Sequence, residues 1–275
     1  MILHKWIRVS RKDVCKICEK PDWCTYAPDF AICCMRVTSQ KPCTNGGWLH
    51  PIGSAPQVPV PHRPQEPTVD CAPLMARWQR TDRIAPLARL LGVDELPLRL
   101  LVVGWSTEHS AWAFPMRDAC QRVIGVRFRN ERGEKWSVRG GRNGLFVPQV
   151  PANKRVFITE GPTDAAALLY IGLFAIGRPS CNGGAAMLCE MLPKLGVRSA
   201  VIVADHDSDK IHPDGSQYNP GVDGALRLSE QLPVANCIWL PPTKDAREFV
   251  RHGGTAVQID AMIKNVRWKQ PVERN

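Results

Sequence analysis

The chain has no run approaching roughly eighteen consecutive apolar residues, and its opening Met-Ile-Leu-His-Lys-Trp-Ile-Arg lacks a signal-peptide core. No membrane partner is expected, and a cytoplasmic location is. Acids are in the minority, with 26 Asp and Glu against 36 Lys and Arg, for a formal net charge of +10. That balance suits a polyanionic partner, although it also suits a merely soluble surface. There is no internal repeat and no Gly-Lys-Ser/Thr phosphate loop, so an ATP-driven helicase is not expected here. At 275 residues and 44% hydrophobic content the chain is long enough for one large or two modest folded domains.

Cysteine, by contrast, is plentiful and uneven. Of 11 cysteines, Cys15, Cys18, Cys24, Cys33, Cys34 and Cys43 fall in the first 43 residues. The odd count, the missing export signal and the Cys15-x2-Cys18 knuckle favour metal ligation over disulfides. Cys24 and Cys34 are the preferred completing pair for a structural Zn²⁺, with Cys33 as an alternative fourth ligand and Cys43 and His50 open. Trp23, Tyr26, Phe30 and Trp48 suit core support or base stacking. Downstream, Cys71, Cys120, Cys181, Cys189 and Cys237 stand singly, and burial is expected for them.

The module at 1–50 is followed by a Pro-rich stretch, 51–73, which reads as a semi-rigid linker. Residues 74–92 read as helical turns interrupted at Pro86 and stopped at Gly92. Short strands are expected at Leu100-Val-Val-Gly-Trp, Ala111–Met116, Arg122–Arg129, Lys135–Val138 and Leu145–Pro148, with a hairpin turn at Asn130–Gly133. From 154 to 252 strand and helix alternate. Strands are expected at 155–159, 173–176, 199–204 and 235–240, and helices at 163–171, 184–194, 221–232 and 244–252. The end, 253–275, reads as a helix near 255–265 and a basic tail.

Two apolar runs end in acids: Arg155-Val-Phe-Ile-Thr-Glu160, and Val203-Ala-Asp205-His-Asp207-Ser-Asp209. Buried parallel strands carry polar residues at their C-terminal tips, where open α/β sheets place their sites. A period of two aims Asp205 and Asp207 alike while strand geometry lasts. Clustered carboxylates repel unless a cation sits among them, and oxygen donors suit Mg²⁺ or Mn²⁺. Thr163 or Asp164 is placed to cap the helix after Glu160, and Asp164 reads equally as an outer-shell orienter.

Glu160-Gly-Pro-Thr-Asp164, the Asn182-Gly-Gly turn and Asp205-His-Asp-Ser-Asp209 together resemble the topoisomerase-primase (Toprim) domain over roughly 154–252. Gly221-Val-Asp-Gly-Ala-Leu and Lys244-Asp245 resemble elements of bacterial and phage-type DNA primases. The resemblance implies an α/β, Rossmann-like, mostly parallel sheet. It implies Glu160 in acid/base or metal-linked proton handling, Asp205 and Asp207 as holders of Mg²⁺ or Mn²⁺, and Asp209 where primases carry a third acid. The polar stretch Lys210–Pro220 is longer than the connection usual in that family.

Between Arg122 and Arg155 stand nine basic residues against two acids, Glu131 and Glu134. Alternation puts Arg127 and Arg129 on one face and Val126 and Phe128 on the other. Primases place a basic strand-rich subdomain before Toprim, and Phe114-Pro-Met, Gly125-Val-Arg-Phe-Arg and Lys135-x4-Gly140-Gly-Arg-x-Gly-Leu-Phe resemble it over about 99–150. By that resemblance Arg127, Arg129, Lys135 and Arg142 are candidates for nucleotide phosphates or template, and Lys135 joins the catalytic set. A zinc module ahead of Toprim resembles the primase arrangement too, although Cys24 and Cys34 are not a two-residue knuckle.

The expected function is a DNA primase making RNA primers on single-stranded DNA from ribonucleoside triphosphates, alone or with a separate helicase recruited through 253–275. A Toprim nuclease or topoisomerase-like enzyme is one alternative, though the tyrosines number only three: Tyr26, Tyr170 and Tyr218. A non-enzymatic DNA-binding or recombination-mediator scaffold is another.

Overall fold

The computed structural model describes residues 6–10, 13–28, 30–43, 47–52, 69–211 and 217–271, which divide between two units, Met1–Glu66 and Pro67–Asn275. Most of the expected linker lies outside the described residues, but Cys71–Pro73 already belong to a helix.

In the first unit β1 (Ile7–Arg8), β2 (Thr25–Ala27), β3 (Ala31–Cys34) and β4 (Trp48–Pro51) form an antiparallel sheet in that order. Its buried cluster is Val9, Cys15, Cys24, Ile32, Cys34 and Val37. So small an apolar core needs a further staple. Of the aromatics assigned there to core support, Trp48 is buried, whereas Trp23 and Phe30 are exposed.

The second unit opens with α1 (Cys71–Trp78), α2 (Ile84–Leu91) and α3 (Glu95–Leu100). Pro86 does not interrupt α2. It occupies the first turn, where a missing N–H removes no intrahelical bond, and the break falls between α1 and α2. Gly92, at φ +72°, ends α2 as expected. Leu100-Val-Val-Gly-Trp is not one strand, because Leu100 closes α3 and β5 (Gly104–Ser106) starts beyond a turn. A short apolar run does not distinguish helix end from strand, and Leu98, Leu101 and Val103 reach the core from both.

β5 pairs with β6 (Ala111–Arg117), then β7 (Val123–Arg129) and β8 (Lys135–Ser137), as an antiparallel meander. The Asn130–Gly133 turn closes β7 onto β8, with Gly133 N donating to Asn130 O at 3.0 Å.

The remainder runs β9 (Arg155–Glu160), α4 (Pro162–Tyr170), β10 (Ala175–Arg178), α5 (Ala185–Lys194), β11 (Ser199–Val203), a short hairpin β12 (Lys210–Ile211) and β13 (Gln217–Tyr218), α6 (Pro220–Gln231), β14 (Ala235–Trp239), α7 (Ala246–Arg251) and α8 (Ala256–Lys264). The sheet order is β10-β9-β11-β14, every pair parallel. Phe157, Val201 and Val203 pack on one face with α4, α7 and α8, while Val156, Ile158, Ala200 and Ile202 pack on the other with α5 and α6. Burial on both faces is why these strands read as unbroken apolar runs.

Leu145–Phe146 is not a strand. Leu145 bridges to Arg117 of β6 and Phe146 bridges to Gly177 of β10, tying the meander to the parallel sheet. The C-terminal segment is part of the core as well, since Ile259 and Ile263 are buried and Lys269 bridges to Asn236 on β14. Among the described residues, no helix is long and apolar enough to cross a membrane.

A Cβ at Gly177 would collide with Gly161 O and crowd the Phe146 ring. Gly177→Ala is expected to cost about 1–3 kcal/mol, read as a lower urea midpoint at unchanged m-value.

Candidate active site

The register pairs Glu160 with Arg178 across β9 and β10, and Ile158 with Ile202 across β9 and β11. Ala204 and Asp205 therefore follow beside Glu160 at the sheet's C-terminal edge. Gly161, at φ +97°, turns the chain there into α4 and occupies the cap position without a side-chain cap, so neither Thr163 nor Asp164 is the cap. Asp164 lies buried instead, accepting from Arg247 N at 3.1 Å and from the Thr163 hydroxyl at 3.3 Å. It ties α4 to the start of α7.

Strand geometry does not carry through to Asp207, because β11 ends at Val203. The Asp205 backbone is held from both sides: Ala204 N donates to Trp239 O at 3.0 Å and His206 N to Lys244 O at 2.8 Å. Gly221 lets α6 approach so closely that a Cβ there would collide with Asp205 O. Asp207 and Asp209 are exposed, and Asp209 Oδ1 accepts from Asn219 Nδ2 at 3.1 Å.

A cleft of about 240 Å³ runs from Glu160, Gly161 and Asp205 to Arg127, Arg129 and Lys135, with Phe114 and Phe146 in its wall. Arg127 and Arg129 share the half-buried face of β7 and Val126 and Phe128 the buried one, as alternation requires. Arg127 Nε donates to Ser137 Oγ at 3.0 Å, while Arg129 Nε is buried without a partner among the described residues. Arg142 is not among the lining residues. Its backbone N–H donates to Ile124 O at 2.7 Å.

Burial pushes the Asp205 carboxyl up to about 8, and Asp164, Glu160, Asp245 and Asp207 add to the rise. Glu160 is pushed up to about 7, again first by burial, with Arg178 opposing and Asp207 and Asp164 reinforcing. Asp164 rises to about 6 through burial and the charge of Asp245. On the opposite wall burial, and then Arg247, lowers Arg129; partial desolvation, and then Arg129, lowers the exposed Lys135. Acids and bases thus face one another across the cleft, each side destabilised by its own like charges.

The residues fit a divalent ion. Glu160 Oε1 and Asp205 Oδ1 are buried without hydrogen-bond partners, and the donors are all oxygen. The thiols of the first unit alone among the described residues bring three or more ligand atoms within 4.8 Å of one another, and no three of these carboxylates do so.

Those thiols are Cys15, Cys18, Cys24 and Cys34. The β2–β3 hairpin pairs Thr25 with Cys33, so Cys24 and Cys34 become neighbours despite nine intervening residues. Sulfurs about 2.3 Å from a tetrahedral zinc lie roughly 3.8 Å apart. Here Cys18 and Cys24 Sγ are 3.7 Å apart, and Cys24 and Cys34 Sγ 4.0 Å. Met35 N donates to Cys24 Sγ at 3.4 Å and Val37 N to Cys34 Sγ at 3.3 Å, contacts that favour thiolates. Burial raises the Cys34 thiol to about 11, so a cation is needed to hold it ionised. His50 Nε2 is bonded to Val37 O at 3.0 Å, and Cys33, adjacent to Cys34 on β3, lies outside the four-thiol group. Elsewhere Cys71 and Cys237 are buried as expected, but Cys120 is exposed and Cys181 and Cys189 are half-buried.

Arg178 and Arg247 were not legible as site residues, and Asp245 entered only through the resemblance of Lys244-Asp245 to an element of primases. Arg178 was the findable one: Phe174-Ala-Ile-Gly-Arg178 is another apolar run closed by a charge, at the same sheet edge as Glu160.

No protein-family model matches this chain. No curated protein matches it either. Solved structures do match. The DnaG catalytic core shares 16% identity at a TM-score of 0.53, over 71% of this chain and 78% of that one. The E. coli primase catalytic core shares 15% at 0.52, over 71% and 79%. The Aquifex aeolicus primase zinc-binding and RNA polymerase domains share 15% at 0.55, over 71% and 60%. At such identities the likeness is one of fold.

Two outcomes are expected. Cys24→Ala should lose about one equivalent of zinc per chain, measured by atomic emission, together with the fold of the first unit. Glu160 and Asp205 bind protons more tightly folded than unfolded, so unfolding releases protons between about pH 4 and pH 8. Metal-free protein should therefore lose stability as pH rises through that window, by about 1–3 kcal/mol. Urea titrations at pH 5.5 and 8.5 should show the drop, and a smaller one in Asp205→Asn.

Proposed function

We propose that the chain is a DNA primase, a DNA-dependent RNA polymerase that joins ribonucleotides on single-stranded DNA. The observation that carries the reading is the cleft in which Glu160 and Asp205 face Arg127, Arg129 and Lys135. A fold shared with primase catalytic cores supports it.

In this reading Arg129 and Lys135 grip the triphosphate of the incoming nucleotide, and Arg127, braced by Ser137 and Asn143, aligns it or the template backbone. Asp205 and Asp207, with Glu160, would hold Mg²⁺ or Mn²⁺, which would supply neutralisation of the charge developing on the phosphates during in-line displacement. Glu160, at the tip of β9 and lining the cleft, accepts the proton of the attacking 3′-hydroxyl. Asp209 acts by fastening the loop through Asn219. Desolvation by the Phe114 and Phe146 wall strengthens every charge interaction inside the cleft. The zinc-binding unit, residues 1–50, reads template, and the basic strands of 74–153 with the Toprim-like 154–252 join nucleotides.

Purified protein is expected to incorporate labelled ribonucleotides on single-stranded DNA with Mg²⁺ or Mn²⁺, and Asp205→Ala to lower the rate by about 10²-fold or more. Release of acid-soluble label from DNA, with no oligoribonucleotide made, would identify a nuclease instead. Retention of DNA binding with neither product would point to a scaffold.

A further inference from the structure

Arg178 has no part in the chemistry just described, yet it is only 2% exposed and among the largest fully buried side chains of the protein. It closes β10 in register with Glu160. Its Nε is buried without a hydrogen-bond partner, and Arg178 makes no ion pair among the described residues. A guanidinium desolvated to this degree is costly unless a strong opposing field surrounds it. Glu160 and Asp205 supply that field, and each leaves one carboxylate oxygen buried and unpartnered. Arg178 thus stands at the tip of β10 beside the tip of β9, within the field of both acids yet without an ion pair to either among the described residues.

A nucleotide phosphate does not reach Arg178, because the residue is buried and does not line the cleft. Its charge acts through the acids. We propose that Arg178 is a resident counter-cation of the acidic site. It offsets one unit of negative charge permanently, keeps Glu160 and Asp205 together before any ion arrives, and repels each divalent ion that enters. The consequence for the cycle is that ions are held weakly by the protein alone and enter most readily with nucleotide phosphates, which bring the missing negative charge. Arg178 is on this account a positioning residue, and the inference rests on reading Glu160 and Asp205 as a divalent site.

The test is Mn²⁺ binding without nucleotide or DNA, followed by the paramagnetic resonance of free Mn²⁺ in the zinc-loaded full chain, with thermal unfolding alongside. Arg178→Met is expected to bind Mn²⁺ about tenfold more tightly than wild type and to show a larger Mn²⁺-induced rise in melting temperature. Arg178→Lys, which keeps the charge, should stay within about twofold of wild type. Should Arg178→Met unfold without metal, recovery of a cooperative transition in Mn²⁺ has the same meaning, since the ion then replaces the lost cation. Equal or weaker Mn²⁺ binding by Arg178→Met overturns the proposal, as does its failure to fold even in Mn²⁺. If wild type, Arg178→Met and Asp205→Asn are all alike in failing to bind Mn²⁺, the divalent reading of the site falls first and this inference with it.

Discussion

Partial burial of neighbouring carboxylates, reinforced by their mutual repulsion, is the constraint around which the sheet edge of the larger unit is arranged. A parallel sheet brings strand tips together, so Glu160, Asp205 and the nearby Asp164 and Asp245 crowd where water is scarce. The surroundings answer that repulsion in different ways. Asp164 accepts a backbone N–H and a hydroxyl, Asp207 and Asp209 stay in water, and Arg178 lies beside Glu160 without touching it. The basic wall of β7 and β8 completes the field across the cleft. Acids on one wall and bases on the other leave the cleft with charge of both signs and few direct partners.

The small unit meets the same problem in sulfur. Four cysteines converge around a core too small to hold itself, and ionising them together requires a cation at their centre. Backbone N–H groups directed at Cys24 and Cys34 are in place for thiolates. In both units the backbone gathers like groups, thiols in one and carboxylates in the other, and in the larger unit Glu160 and Asp205 each keep a buried oxygen without a partner among the described residues.

Much of this was legible because local periodicity and global fold agree. The unbroken apolar strands announced a sheet covered on both faces, Arg127 and Arg129 took the face that alternation assigns them, and Cys15-x2-Cys18 marked a metal knuckle. The misreadings have physical causes. Leu100-Val-Val-Gly-Trp is apolar because the core needs it, whichever backbone carries it there. Pro86 breaks a helix only in its interior and sits in a first turn. Leu145–Phe146 carries ladder bonds to two different sheets, a role that no local pattern encodes.

The alternation of strands and helices from β9 onward, the places of Glu160 and Asp205 beyond apolar strands, and the Cys15-x2-Cys18 knuckle were determined by the sequence alone, because each depends on spacing along one segment. Tertiary structure decided which charges face which. Arg178 meets Glu160 only through the β9–β10 register, Asp164 meets Arg247 across 83 positions, and Arg142 is left off the cleft wall by a backbone bond to β7. Burial decided the rest. The same carboxyl that ionises freely in water holds its proton to about 8 at Asp205, because the packed sheet edge removes the solvent that would stabilise its charge.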